Sequence, residues 1–491
     1  MSSKAFAFCL LPFVILATLN AGGYRYGASD QAFYLPVVLE KLDPELFPRD
    51  GALLAAQSRL TTYDEVIAAI VRITGASLPT VFAILYVVGL VLIATGTWLV
   101  GRRIYGTPWA AAALLAAMTL RHAIARSGTN TLEGYFHPRQ IAYGLGLLAV
   151  AAFLRARLML AAALVLGAGL VHPTAALWFA VWLAAAAVVL NPAARKWTLV
   201  AAAPAAAAVA WAIIWGPLAG RLARMDDEWL SMLAAKDYLF ILQWPAYAWI
   251  FNLGYLVVVV AIYLRRRAAW LVSFEERALV TGSAALALVF LIAIVAQSMH
   301  IALAFQLQPA RLFLIFDFLA TAYLVWVLAE MPFAAWPVRW LRPATVTLLV
   351  VLFSIGRGAY VLAQARRPAV QIAIENGDWR RTMEWAKGTP KNTGWLADPM
   401  HAILYGSSVR VAGERDVFVE GVKDAALGIY DRGIAQRTGE RMRELNDFYG
   451  LSAEKAQAMA SRYDLDFLVT EQVLPLPVAF ESGALRVYRL R

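Results

Sequence analysis

Residues 79–100 read PTVFAILYVVGLVLIATGTWLV, a stretch without a single charge that is closed at one end by Arg102-Arg103. An α-helix rises about 1.5 Å per residue, so about 20 apolar residues cross roughly 30 Å of hydrocarbon. This stretch is therefore long enough to span a membrane. Comparable apolar runs occupy 5–21, 108–121, 139–154, 158–171, 173–190, 197–215, 244–264, 278–297, 312–329 and 344–362. The pattern predicts about eleven spans, with the short runs at 108–121 and 158–171 borrowing interfacial residues. The run Ala5 to Leu19 also has the length of a secretory signal core; a retained first span is the expected reading.

The rest of the composition agrees. Of 491 residues, 61% are hydrophobic and 16% charged, whereas ordinary soluble domains carry about 25% charged residues. A soluble enzyme with a large core is excluded. The net charge of +11 would suggest a nucleic-acid partner only if the basic residues clustered on one water-facing surface. They fall instead into alternate short loops: Lys4; Arg102 and Arg103; Arg155 and Arg157; Arg195 and Lys196; Arg265, Arg266, Arg267 and Arg277; Arg339 and Arg342. By the positive-inside rule those loops are cytoplasmic. An odd number of spans then places the amino terminus in the cytoplasm and the carboxy-terminal tail outside. The charge is a topology signal and gives no evidence for nucleic acid.

Past residue 365 the apolar runs stop. The sequence divides into a polytopic segment, 1–365, and a soluble extracytoplasmic α/β domain, 366–491. In the tail, Asp378 to Lys387, Asp431 to Tyr449 and Ser452 to Tyr463 have helical character. The segments 394–398, 408–412, 467–470 and 485–488 have the character of short strands. The tail contains neither a phosphate-binding glycine pattern nor a nucleophile motif, which favours a docking role without chemistry. Cys9 is the only cysteine, so there is neither an intramolecular disulfide nor a thiolate metal site, and the five histidines show no zinc spacing.

The chemistry-bearing side chains lie in the expected outer loops. The first, 22–78, contains Tyr24-Arg25-Tyr26-Gly27-Ala28-Ser29-Asp30-Gln31, then apolar stretches at 33–42 and 65–73 that read as short helices lying along the membrane. The second contains Glu133-Gly134-Tyr135-Phe136-His137-Pro138-Arg139-Gln140. His172-Pro173 marks an outer hairpin, and a later loop runs from His300 to Arg311. Two ionisable residues fall inside spans at similar depth, Asp317 and Arg357. Charges there are costly unless paired, so a structural ion pair between them is expected.

Ser29-Asp30-Gln31-Ala32-Phe33-Tyr34-Leu35-Pro36, followed by Asp43-Pro44-Glu45-Leu46-Phe47-Pro48-Arg49-Asp50, resembles the first outer loop of a poorly characterised bacterial branch of the GT-C superfamily of polytopic glycosyltransferases. The resemblance implies a GT-C-like helical membrane fold with membrane-parallel helices in that loop, a bacterial inner-membrane location, and a sugar donor linked to polyprenyl phosphate. It implies an acceptor glycan, lipid or protein on the extracytoplasmic side, and Asp30 as the catalytic residue. Many members carry two acidic residues close together where this chain has Asp30 alone, so use of a divalent metal stays open.

The chemistry supports such roles on its own terms. A carboxylate such as Asp30 suits removal of an acceptor hydroxyl's proton. Cationic donors suit the departing phosphate, and Arg139 and Arg311 offer planar forks for its oxygens. His137, His172 and His300, with Gln140 and Arg25, supply further hydrogen bonds to phosphate or sugar. Each also has a plainer role: Asp30 as a turn or cap, the His-Pro pairs as helix starts, and the arginines as anchors at helix ends. Alternatives at the level of the whole chain are a non-catalytic envelope assembly protein and a glycan polymerase or ligase. A transporter fits less well, because no paired repeat or matching interrupted span is visible.

Overall fold

The computed structural model describes residues 3–58, 61–191, 194–216, 218–331, 343–375 and 377–491; Arg339 and Arg342, expected in an inner loop, lie outside the described residues. Each of the eleven apolar runs is a helix. Six helices are long and apolar enough to cross a membrane: Leu78–Ile104, Pro173–Leu190, Ala246–Ala268, Phe274–Ser298, Ala302–Ala329 and Pro343–Ala365. Phe6–Asn20, Pro108–Ala117 and Leu158–Val171 are shorter apolar helices.

The chain forms two compact units. The first comprises Met1–Tyr24, Leu85–Arg224 and Asp237–Ala369, and the second Arg25–Ile84, Met225–Lys236 and Val370–Arg491. The expected division at 365/366 falls close to the last of these boundaries. The second unit, however, also takes in Arg25–Ile84, which holds most of the loop 22–78, and the short piece Met225–Lys236.

Helices in the first unit approach closely where glycine removes a side chain. A Cβ on Gly146 would stand 2.2 Å from the Phe179 ring, and one on Gly144 2.6 Å from Leu92 Cβ. Gly282 faces the Ala186 backbone in the same way, at 2.6 Å. The alanine-rich stretch 201–210 reads in sequence as close helix packing of this kind; instead, residues 206–210 are exposed. Small apolar side chains need no protein partner where lipid is the solvent. Large apolar residues such as Leu288, Leu291, Ile292 and Val295 are exposed on one helix, a surface that suits hydrocarbon and not water.

The loops expected to be cytoplasmic are tied down by their own charges. Arg266, at the turn between Ala246–Ala268 and Phe274–Ser298, grips Glu276 through Nε and Nη2 at 2.8 and 3.0 Å. Its guanidinium lies 4.7 Å from the Trp326 ring centroid. Glu330 accepts backbone N–H bonds from Gly106 and Thr107 at 3.0 and 2.7 Å.

The second unit is built on a five-stranded mixed sheet. With β1 as Gly394–Leu396, β2 as Asp416–Val417, β3 as Phe467–Thr470, β4 as Val478–Ser482 and β5 as Leu485–Arg489, the spatial order is β2-β1-β3-β5-β4. β2, β1 and β3 run parallel, while β5 pairs antiparallel with both β3 and β4. Alternate residues bury on opposite faces, as the two-residue strand period requires. Phe467 and Val469 pack with Trp379 and Met383 of helix Asp378–Lys387, whereas Leu468 packs with Ala456 and Met459 of helix Ala453–Tyr463.

Segment 408–412, expected as a strand, is a short helix because the Ser408 side chain accepts the Val411 N–H at 3.2 Å and caps it. The apolar stretches of the first loop are indeed helical, over Gln31–Leu42 and Tyr63–Thr74. They pack within this unit, where their buried residues include Leu35, Val38, Ile67 and Ala68.

Candidate functional site

Two proline-initiated helices in the first unit begin side by side. His137 precedes Pro138 and its Nδ1 accepts the Arg139 N–H at 3.0 Å; His172 precedes Pro173 and its Nδ1 accepts the Ala175 N–H at 3.2 Å. Proline suits the first helical position because its missing N–H costs nothing there. Both histidines are thus helix caps, and the two rings are also 5.8 Å apart. Because Nδ1 is the acceptor, each neutral ring carries its proton on Nε2 and presents a donor away from its helix end. Burial, followed by the positive neighbours His137, Arg139 and Arg311, holds His172 well below the ordinary imidazole value, so it is a neutral donor.

Arg139 lies one residue inside the helix Pro138–Phe153. Its Nη2 donates to Glu133 Oε1 at 2.7 Å, both side chains being buried. Asn130 Nδ2 lies 3.2 and 3.3 Å from the two Glu133 oxygens, and Arg121 stands 3.8 Å from Oε2. Arg139 Nη1, both polar atoms of the Gln140 amide and the Tyr143 hydroxyl are buried without a hydrogen-bond partner among the described residues. Unsatisfied buried donors are uncommon and call for an explanation. Arg139 and Tyr143 line a narrow cleft with His172, Trp178 and Arg311, and a second one with Asn130, Glu133, His137 and Gln140. One carboxylate among Arg121, Arg139 and Arg311 leaves the region cationic, and its open donors suit an anion with several oxygens.

On the same unit, a larger groove of about 490 Å³ runs between the helices Ala246–Ala268 and Phe313–Ala329. Apolar residues including Ile250, Phe251, Val258 and Leu324 line it, and His122, Tyr255 and Asp317 are its polar groups. Asp317 Oδ2 lies 2.8 Å from His122 Nδ1. The expected ion pair between Asp317 and Arg357 is therefore not formed. Arg357 Nη1 instead donates to Asn20 O and Oδ1 at 3.1 and 2.8 Å. It satisfies a carbonyl at the end of the helix Ser3–Asn20, a group left without an intrahelical partner, while His122 answers the buried carboxylate.

The other sequence-predicted residues are placed as follows. Asp30 and Arg25 belong to the second unit. Asp30 precedes the helix Gln31–Leu42 but makes no side-chain cap; its Oδ1 lies 2.5 Å from Lys423 Nζ. His300 follows the helix Phe274–Ser298 with φ +59°, and it does not line these cavities. The structure thus brings together Arg139, Arg311, His137, His172 and Gln140. His122, Arg121 and Tyr255 were missed by sequence reasoning. The signal was the basic pair Arg121-His122 at the end of an apolar run, which reads as the edge of a span. Among the described residues no group of three or more His, Cys, Asp or Glu side chains could hold a metal ion. The donor set does not fit a divalent cation, which takes several oxygen ligands.

No protein-family model and no curated protein matches this sequence. Among solved structures, the chain is similar to the oligosaccharyltransferase of Archaeoglobus fulgidus tethered with an acceptor peptide containing the NVT sequon, with TM-score 0.44 and 13% identity over 94% of this chain and 69% of that one. The same values hold for the archaeal oligosaccharyltransferase AglB from Archaeoglobus fulgidus in complex with an inhibitory peptide and a dolichol-phosphate.

Proposed function

We propose that this protein is a bacterial inner-membrane glycosyltransferase that moves a sugar from a polyprenyl-phosphate-linked donor to an extracytoplasmic acceptor. The observation that carries the reading is the pair of clefts that share Arg139 and Tyr143, one lined also by Arg311 and His172 and the other by His137 and Gln140, with Arg139 Nη1 and the Gln140 amide unpartnered among the described residues. Arg139 and Arg311 hold the phosphate as charge accumulates on it. His137 and His172 add Nε2 donors. The resemblance assigns proton removal to Asp30, whose carboxylate is not spent on capping a helix. The carboxy-terminal domain is extracytoplasmic in this reading, and the acceptor is a glycan, lipid or protein.

The test incubates wild-type protein, Arg139→Gln, Arg311→Gln and Asp30→Asn in lipid nanodiscs with radiolabelled polyprenyl-phosphate sugars and membrane extract. Loss of a phosphate-stabilising donor should slow transfer by about 10²–10³-fold. Transfer at the wild-type rate by both arginine variants would remove the cleft from the mechanism. A non-catalytic envelope assembly role is the second reading, favoured by the occupation of Asp30 by Lys423; it requires that no donor is consumed by the wild type.

A further inference from the structure

The groove beside His122 is a separate feature from the cationic cleft, and its chemistry differs. The flanking helices Ala246–Ala268 and Ala302–Ala329 are both long and apolar enough to span a membrane. Ile250 and Phe251 are 69% and 62% exposed on the groove wall, which in a membrane means open to hydrocarbon. Apolar walls of this kind accept a chain of methylene or isoprenoid character. The polar groups are His122, Tyr255 and Asp317. A buried carboxylate beside a tyrosine hydroxyl repels a phosphate, whereas a neutral hydroxyl can donate to a ring nitrogen and accept from a phenol.

His122 is arranged for such a partner. Asp317 Oδ2 lies 2.8 Å from its Nδ1 and orients the ring, while its backbone N–H donates to Thr131 Oγ1 at 2.9 Å and holds the main chain at this position. The Ala117 carbonyl is a second acceptor beside the ring, and the side chain retains 18% exposure. With Nδ1–H donated to the carboxylate, the neutral ring presents Nε2 as a proton acceptor, the arrangement by which a carboxylate fixes the tautomer of a histidine base.

We propose that this groove binds the apolar chain of a hydroxyl-bearing lipid, with His122 Nε2 receiving the proton of that hydroxyl and Asp317 acting as the positioning residue. This deepens the glycosyl-transfer reading and rests on it for the chemical step alone, with His122 taking the proton-accepting place that the resemblance gives to Asp30: the lipid is the acceptor class. Its oxygen forms the bond to the sugar's anomeric carbon as the bond from that carbon to the donor phosphate breaks. The electron pair leaves on the phosphate, and the hydroxyl proton passes to His122 Nε2. The binding half stands without transfer.

Gly254 supplies a clean test. It lines the groove, and a Cβ placed there meets nothing within 4 Å, so Gly254→Leu puts apolar bulk into the groove from a position with room for its Cβ. Full-length protein in nanodiscs is photolabelled with a diazirine-bearing long-chain alcohol and with its methyl ether, and the labelled residues are mapped by mass spectrometry. The expected result is alcohol labelling at Ile250, Phe251, Val258 and Leu324 that Gly254→Leu abolishes. Alcohol should be preferred over ether by about tenfold, the worth of one buried hydrogen bond, and His122→Phe should remove the preference while leaving the chain in the groove. Asp317→Asn should weaken the preference and move its pH profile, whereas a merely structural role would change both probes equally.

Labelling unchanged by Gly254→Leu would overturn the site, and equal labelling by alcohol and ether would make the occupant a bulk lipid chain and overturn the hydroxyl ligand. A preference that survives His122→Phe would overturn the role of His122. A His122 variant that fails to bind alcohol yet transfers sugar normally refutes this inference and spares the glycosyltransferase reading; intact binding with no transfer by wild type does the reverse.

Discussion

Arg410 Nε lies 2.7 Å from Asp50 Oδ2, and both side chains are almost wholly buried. The two residues are 360 positions apart, so this bond ties the loop segment 22–78 to the sheet-bearing tail within one folded unit. Arg410 also holds Asp424 through Nη1 and Nη2 at 2.6 and 3.0 Å, and Arg437 contacts Asp50 Oδ1. Two carboxylates around a guanidinium, with a second guanidinium on one of them, leave little charge uncompensated.

Removing the central cation strands both carboxylates. Breaking a buried ion pair from one side costs about 3–5 kcal/mol, so Arg410→Met should lower the stability of this unit by that order, read as a lower unfolding midpoint in detergent micelles. Arg432, whose contacts to Asp226 and Glu228 are exposed, should show little change when replaced. Equal effects at the two positions would mean that the buried network is not structural.

Much of the fold was legible because membrane helices are written in long apolar runs: all eleven runs became helices, and the short β-prone segments 467–470 and 485–488 are the strands Phe467–Thr470 and Leu485–Arg489. The Val478–Ser482 strand was missed because its burial pattern is irregular and it carries a register shift between Val478 and Phe480. The site was legible where one residue type had one use. Arg139 and Arg311 read as arginines at helix ends, and both His-Pro pairs read as helix starts, where His137 and His172 act as caps. The partner of Asp317 was not, because depth along a span fixes height and not the direction a side chain faces. The unit formed by the first loop and the tail depends on Asp50 meeting Arg410, a pairing that no local pattern encodes.

Titration separates the carboxylates of the second unit. Burial, then the nearby Asp424 charge, pushes Glu420 up to about 7. A carboxyl whose folded value lies above its unfolded value of about 4.3 holds its proton better when folded, so its contribution to stability falls as pH rises between the two. His401 works in the opposite sense, since burial holds it down to about 4 and stability gained from it rises with pH towards about 6.5. The comparison of wild type with Glu420→Gln isolates the first effect: the stability difference, wild type minus variant, should fall by roughly 3 kcal/mol from pH 4.5 to pH 7. Thermal unfolding across that range measures it, and a flat difference would contradict the assignment.

His122 makes a separate pH prediction. Burial alone would lower its proton affinity, but the Asp317 carboxylate and its hydrogen bond outweigh that and the opposing charge of Arg357, so the ring titrates above the ordinary imidazole value. Stability from the pair is fully present below the unfolded value of about 6.5 and is lost as pH rises through the folded one. Asp317→Asn should move the His122 midpoint downward, followed by NMR of labelled histidine in this five-histidine chain. An unmoved midpoint would dissolve the pair.

Two glycines should respond in opposite ways to the same change. Gly146→Ala drives a methyl into the Phe179 ring, whereas Gly254→Ala meets open space. Overpacking costs about 1–3 kcal/mol, and replacing a helical glycine by alanine gains up to about 1 kcal/mol. Melting in detergent should fall for the first variant and hold or rise for the second; parallel losses would mean that neither contact is as drawn.

The fork at Arg139 leads to the last expectation. Nη2 is committed to Glu133 and Nη1 is buried without a partner among the described residues, so the proposed anion engages a second nitrogen of the same planar group. Lysine keeps the charge but has one ammonium on a flexible stem and cannot hold Glu133 and a phosphate oxygen in that geometry together. Arg139→Lys should therefore bind polyprenyl phosphate weakly, with an affinity loss of about ten- to a hundredfold that approaches that of Arg139→Gln, measured by calorimetry in nanodiscs. If lysine restored wild-type affinity, charge alone would suffice, and the unpartnered nitrogen would lose its meaning as a phosphate donor.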